Sequence, residues 1–154
     1  MKLENQEWST FLNTRKAGGY TIARNGWVCA YNDPIAMLDM WITSSGNNDC
    51  QFGKGAHKDV RAYSIDLTDL GYDTKVTDGT WAETYDVLIS VIKNCTDEAN
   101  RYAMMHDAED RLMSTGCVTP IYFYTDLCML DDSVQGFFSN PLGYKYFMYT
   151  TIEG

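Results

Sequence analysis

The chain has 154 residues and a mass of 17.5 kDa, one domain's worth by length and enough to bury a core without disulfides or a metal. Hydrophobic residues at 45% and charged residues at 21% exclude a disordered, coiled-coil or collagen-like chain, while 11 Tyr, 6 Phe and 4 Trp are enough to line a binding site as well as a core. A net charge of −9 and a pI near 4.5 exclude a phosphate-backbone partner such as nucleic acid.

Trp8, Phe11, Leu12 and Arg15 fall on one helical face, which predicts a helix over residues 7–17 stopped by Gly18-Gly19. Tyr20 to Trp27 alternates as a strand. Asp33-Pro34 opens a short helix carrying Ile35, Met37, Leu38 and Trp41. A Ser-, Gly- and Asn-rich loop runs from Thr43 to Asp49. Phe52 to Asp78 is polar and Gly-punctuated without a clean period, and reads as an ordered excursion or long loop. Thr80 with Glu83 makes a capping box before the apolar face Tyr85, Leu88, Ile89 and Ile92. Thr96 starts the next helix, marked by Tyr102, Met105, Glu109 and Leu112 and ended by Gly116. Val118 to Tyr124 is a β-branched and aromatic strand, and Tyr144 to Ile152 is a second β-prone run.

This order predicts an α/β or α+β fold with few strands. Four or so short strands are thin for closing a sheet, and unpaired edges are a liability, so a partner, a second copy or more chain is expected to complete it. No stretch approaches the ~18 apolar residues of a membrane span. Met1 to Glu7 shows no leader pattern, so the chain as written is expected to stay where it is made. The cysteines Cys29, Cys50, Cys95, Cys117 and Cys128 have no metal spacing and read as reduced thiols.

Cys29 with His57 or His106, the only histidines, is a candidate nucleophile–base combination, but no catalytic signature surrounds it and a packed thiol is the better reading. Asp107, Glu109 and Asp110 fan around a helix, and Asp126, Asp131 and Asp132 lie in a turn, so both groups read as solvated surface. Gly53-Lys54-Gly55 lacks the frame of a phosphate loop, and no cofactor is expected. The charge is uneven: up to Ala30 the balance is +2, and from Tyr31 eight basic residues face nineteen acidic ones. That basic island holds Arg15 and Arg24 beside Trp8 and Trp27. A planar guanidinium suits a carboxylate and indole walls suit apolar side chains, which together suit a short peptide or similar carboxylate.

Asn5-Gln6-Glu7-Trp8, Thr14-Arg15, Ile22 to Val28, Tyr31-Asn32-Asp33-Pro34, Leu38-Asp39-Met40, Ser45 to Asp49, Ala108-Glu109-Asp110, Pro120 to Tyr124 and Gly136-Phe137 with Asn140 to Gly143 closely resemble the C-terminal part of oligopeptide-binding proteins. These are the family 5 extracytoplasmic solute-binding proteins of ABC transporters. The resemblance implies a periplasmic-binding-protein-like (class II) fold. It also implies a two-lobed protein about three times as long, of which residues 1–117 belong to the C-terminal lobe and 118–154 cross the hinge to the N-terminal lobe. Its implied partners are an oligopeptide, the N-terminal lobe and an ABC permease, and its implied location is extracytoplasmic.

In such a protein the peptide lies extended between the lobes and pairs its backbone with the protein. By resemblance, Gly26 and Val28 supply backbone hydrogen bonds, Arg15 and Arg24 meet the ligand carboxylate, Trp8 and Trp27 line side-chain pockets, and Tyr124 borders the cleft. One departure stands out: the family's Asp for the peptide α-amino group is replaced by Ala30. The reading is a binding protein rather than an enzyme. The alternative is an interaction module that assembles, with itself or another chain, through exposed strand edges.

Overall fold

Two helices carry the core of this computed structural model, which describes residues 3–54 and 62–154. Helix α3 (Trp81–Asn94) starts at the expected capping box: Thr80 Oγ1 accepts the Glu83 N–H at 3.1 Å and the Glu83 carboxylate accepts the Thr80 N–H at 2.8 Å. Its face of Tyr85, Leu88, Ile89 and Ile92 is completely buried, as the periodicity requires. Trp81 stacks on Tyr85 at 4.7 Å and meets the tilted Phe52 ring at 4.4 Å, and Tyr85 donates its hydroxyl to the Leu38 carbonyl at 2.9 Å.

Helix α4 (Glu98–Ser114) packs beside α3 and ends before Gly116, whose φ of 67° only glycine adopts without strain. Its cap is Asp97, not Thr96, because the Asp97 carboxylate reaches the Asn100 N–H at 2.8 Å. Its buried face is Met104, Met105, Ala108 and Leu112; Tyr102 is 45% exposed and Glu109 faces solvent. The expected set of Tyr102, Met105, Glu109 and Leu112 shares Met105 and Leu112 with this face.

Helix α1 (Trp8–Lys16) matches expectation and is capped by the Glu7 carboxylate, which accepts the N–H groups of Ser9 and Thr10. Those bonds, the Ser9 hydroxyl foremost, hold Glu7 below the usual carboxylate range. Helix α2 (Ile35–Leu38) follows Asp33-Pro34 and runs into a 3₁₀ turn, Asp39–Trp41.

The stretch read as an excursion contains an antiparallel hairpin, β1 (Tyr63–Asp66) with β2 (Lys75–Gly79), pairing Ile65 with Val76 and Asp66 with Lys75. Ile65 is buried while Ser64 and Asp66 face out, so the period-2 signal is present but only four residues long. Residues 55–61 of that stretch, including His57 and Gly55, lie outside the described residues.

Tyr20–Trp27 and Val118–Tyr124 are not strands in the structure. A strand is defined by its ladder, and among the described residues neither segment has one. Residues 118–131 hold no regular structure at all. The tail forms two-residue ladders: β3 (Val134–Gln135) with β6 (Thr151–Ile152), and β4 (Phe138–Ser139) with β5 (Lys145–Tyr146). Gly136 permits this folding back, since a Cβ there would stand 2.1 Å from the Tyr149 carbonyl oxygen.

The fold is thus mixed α/β, with the core confined to residues 35–112 and both chain ends outside it. Scaling of surface with mass gives about 7,900 Å² for a compact monomer of this size. The chain exposes 11113 Å², roughly 3,200 Å² more. Much of the excess is apolar: Ile121, Phe123, Leu127, Met129, Phe147, Met148 and Ile152 all project into solvent.

Candidate functional site

The loop that follows the core's first helices pulls the basic island into one place. Thr43 is pinned to α3 through the Asp86 carboxylate, which accepts its N–H at 2.9 Å and its hydroxyl. Gly53 lets the loop run close to α3: its φ is 73°, and a Cβ would meet Thr43 Cγ2 at 2.5 Å and Ala82 at 2.9 Å. Asp49 then lands against Arg15, with Oδ2 at 2.8 Å from Nε and side-chain exposures of 7% and 12%. The Arg15 N–H does not align with that oxygen, so the contact is an ion pair rather than a directed hydrogen bond.

Further bonds converge there. Asn25 donates to the same Asp49 oxygen at 3.3 Å, and the Tyr20 hydroxyl donates to the Asp49 carbonyl at 2.7 Å. Burial, then the charges of Cys50 and Asp49, push the Tyr20 phenol up to about 12. Gln51 donates to the Lys16 carbonyl at 2.7 Å. Arg15 Nη1 donates to the Arg24 carbonyl at 3.4 Å, and its guanidinium lies 5.4 Å from the Phe11 ring.

Arg24 is different. It is exposed and donates from Nη2 to the Tyr124 hydroxyl. The Tyr122 phenol, foremost, and Tyr124 together raise the Arg24 pKa. In return Tyr122, hydrogen-bonded to Tyr124 and facing Arg24, is held below the usual phenol value. The two tyrosine rings meet edge to face at 5.0 Å. A guanidinium is thereby presented between two phenols, and Arg15 is occupied by Asp49.

Between these groups lies a cleft of about 350 Å³ walled by Glu4, Trp8, Phe11, Arg15, Arg24 and Tyr124. Five of the seven sequence-expected residues meet there: Trp8, Arg15, Arg24, Gly26 and Tyr124. Trp8, 65% exposed, tilts against Phe11 at 5.9 Å and offers an open indole wall. Gly26 spends its N–H on the Asn25 side chain at 2.8 Å, and its Cα faces the Tyr124 ring.

Trp27 and Val28 are not in the lining. The Trp27 indole donates to the Ala36 carbonyl at 3.2 Å and so anchors the segment to α2. Missed from sequence were Phe11, Asn25 and Asp49. Asp49 had a readable signal as the only charge in its polar loop, but its partner lies 34 positions upstream. Cys29 is half-buried and His106 is exposed on α4. Among the described residues no three His, Cys, Asp or Glu side chains gather as a metal set. No helix of the described chain is long and apolar enough to cross a membrane.

No family model matches the chain. Curated proteins do. The dipeptide-binding protein DppE of Bacillus subtilis is 30% identical over 145 residues, which is 94% of this chain and 21% of that protein. The periplasmic oligopeptide-binding protein OppA of Escherichia coli is 32% identical over 147 residues, 95% of this chain and 22% of that protein. A probable deoxycholate-binding periplasmic protein of Escherichia coli, YgiS, is 26% identical over 94% of this chain and 22% of its own length. These relatives are named for binding and not for catalysis, and the chain spans about a fifth of the length of each. The chain is thus similar to oligopeptide-binding proteins, matched along nearly all of its own length to a segment of theirs.

Proposed function

We propose that the chain is the last portion of a two-lobed extracytoplasmic solute-binding protein, and that it contributes one wall of a peptide-binding cleft for ABC-transporter uptake. Residues 1–117 serve the C-terminal lobe and residues 118–154 cross toward the N-terminal lobe. The observation that carries this reading is the exposed Arg24 guanidinium, set between two phenols in a cleft walled by Trp8 and Phe11. A charged, partly pre-oriented guanidinium suits a peptide carboxylate, and the indole suits a side chain of varied shape. The similarity to named dipeptide- and oligopeptide-binding proteins points the same way. The roughly 3,200 Å² of surplus surface exceeds what a standard interface covers on one partner, about 800 Å², and fits a missing lobe.

The test is isothermal titration of a mixed oligopeptide library into the chain joined to the remainder of a two-lobed binding protein. Binding is expected in the joined form and to be much weaker in the chain alone, where half the cleft is absent. Arg24→Ala in the joined form is expected to weaken carboxylate-terminated peptides about tenfold or more and amidated ones little. Absence of binding in the joined form sinks the reading.

The exposed apolar side chains of 121–130 and 147–152 favour a second reading, self-assembly without ligand. Sedimentation at several concentrations separates the two: a monomer throughout excludes self-assembly. With Ala30 where the family carries an acid, ligands lacking a free amine are the first to try. The bile-acid name carried by one relative makes deoxycholate a reasonable control ligand.

A further inference from the structure

We propose that Cys50 and Cys117 are a disulfide-forming pair that ties the loop holding Arg15 to the segment carrying Tyr122 and Tyr124. The two cysteines are 67 positions apart, yet the Cys50 S–H points at the Cys117 carbonyl with Sγ 3.8 Å from that oxygen. Cys117 raises the Cys50 pKa and both act on Tyr20, while the Cys117 S–H rests on the Thr115 carbonyl with Sγ 3.8 Å from that oxygen. Neither is bonded to another sulfur: all five cysteines are free thiols. The remaining three are placed differently. Cys95 is buried with its S–H on the Asp97 carbonyl, Cys128 lies in the exposed stretch, and Cys29 is half-buried.

Position gives the pair a consequence. Cys50 directly follows Asp49, the partner of Arg15, and Cys117 directly precedes the segment that brings Tyr122 and Tyr124 to Arg24. A bond between them joins the loop that holds Arg15 covalently to the segment that carries the two tyrosines. The pairing holds whether or not the cleft takes a peptide.

The oxidant is a small-molecule disulfide. The exposed Cys117, as thiolate, attacks one sulfur of oxidised glutathione and expels one glutathione thiolate, giving a mixed disulfide. The Cys50 thiolate then attacks Cys117 Sγ and expels the second glutathione, which takes up a proton. Two protein thiols are oxidised and one glutathione disulfide is reduced to two thiols. Burial of Cys50, foremost among the causes, pushes its thiol up to about 11, so the second step is the slow one and quickens with pH.

The experiment treats the native 154-residue chain with oxidised glutathione, counts free thiols and measures intact mass. The wild type is expected to fall from five thiols to three with a loss of two hydrogens and no retained glutathione. Cys29→Ser and Cys128→Ser are expected to lose the same pair. Cys50→Ser and Cys117→Ser are expected to lose none, or to retain a glutathione on the partner left behind. Circular dichroism confirms that each serine variant is folded. Five thiols retained in the wild type, a pair still lost in Cys50→Ser or Cys117→Ser, or a covalent dimer as the main product overturns the proposal.

Discussion

Replacing Asp49 by Ala removes the carboxylate 2.8 Å from Arg15 Nε and leaves a guanidinium only 12% exposed without its counter-charge. At an effective dielectric of 20 and a charge separation near 4 Å, the attraction is about 4 kcal/mol before desolvation. Breaking a buried pair by removing one partner costs about 3–5 kcal/mol. The misaligned N–H and the neighbouring cleft, through which water can reach Arg15, hold the effect to the low end, about 3 kcal/mol. The measurement is a double-mutant cycle of Asp49→Ala and Arg15→Met by urea denaturation, with Met chosen to keep contact with the Phe11 ring. A coupling energy of about 2 kcal/mol is expected. Hydrogen exchange at the α1 amides reports the same loss as local opening if α1 detaches before the core does. Coupling below about 0.5 kcal/mol by both readouts, the range of exposed pairs, refutes the view that Asp49 locks Arg15 in place.

Ile89→Ala empties a fully buried position on α3 and is expected to cost about 2–5 kcal/mol in urea unfolding, with an unchanged slope. Gly53→Ala meets both a φ of 73° and a 2.5 Å approach to Thr43 Cγ2, and should destabilise by about 2–4 kcal/mol in the same assay, whereas Gly46→Ala, with open space around it, should cost little. Cys50 should react with iodoacetamide about a hundredfold more slowly at pH 8 than an unperturbed thiol of pKa about 8.5, read by mass spectrometry of the native chain. Because its folded pKa is raised to about 11, the fold binds that proton more tightly than the unfolded chain, so this group withdraws stability as pH rises from about 8.5 to 11.

The parts legible in the sequence are those whose physics is local. Thr80 and Glu83 specify a helix start from four consecutive positions, and Tyr85, Leu88, Ile89 and Ile92 specify its buried face from one period. The hairpin is not legible because Tyr63 to Asp66 is too short for alternation to outweigh the surrounding turn residues. Tyr20–Trp27 and Val118–Tyr124 show the opposite failure: side chains suited to strands predicted strands, but pairing needs a neighbour that no propensity supplies. Residue type and spacing single out Arg15, Arg24 and Trp8, which line the candidate cleft. Their division of labour was not, since one arginine is neutralised by Asp49 and the other is framed by tyrosines about a hundred positions away. Trp27 had the right chemistry and the wrong neighbour, the Ala36 carbonyl.

The confinement of the core to residues 35–112, with the cleft drawn from residues before and after it, separates two kinds of constraint along the chain. Trp8, Phe11, Arg24 and Tyr124 can drift without disturbing the packing of α3 against α4. Recognition can therefore diversify among descendants of one stable helical frame, and a laboratory library aimed at new ligands can be restricted to the two ends of the chain.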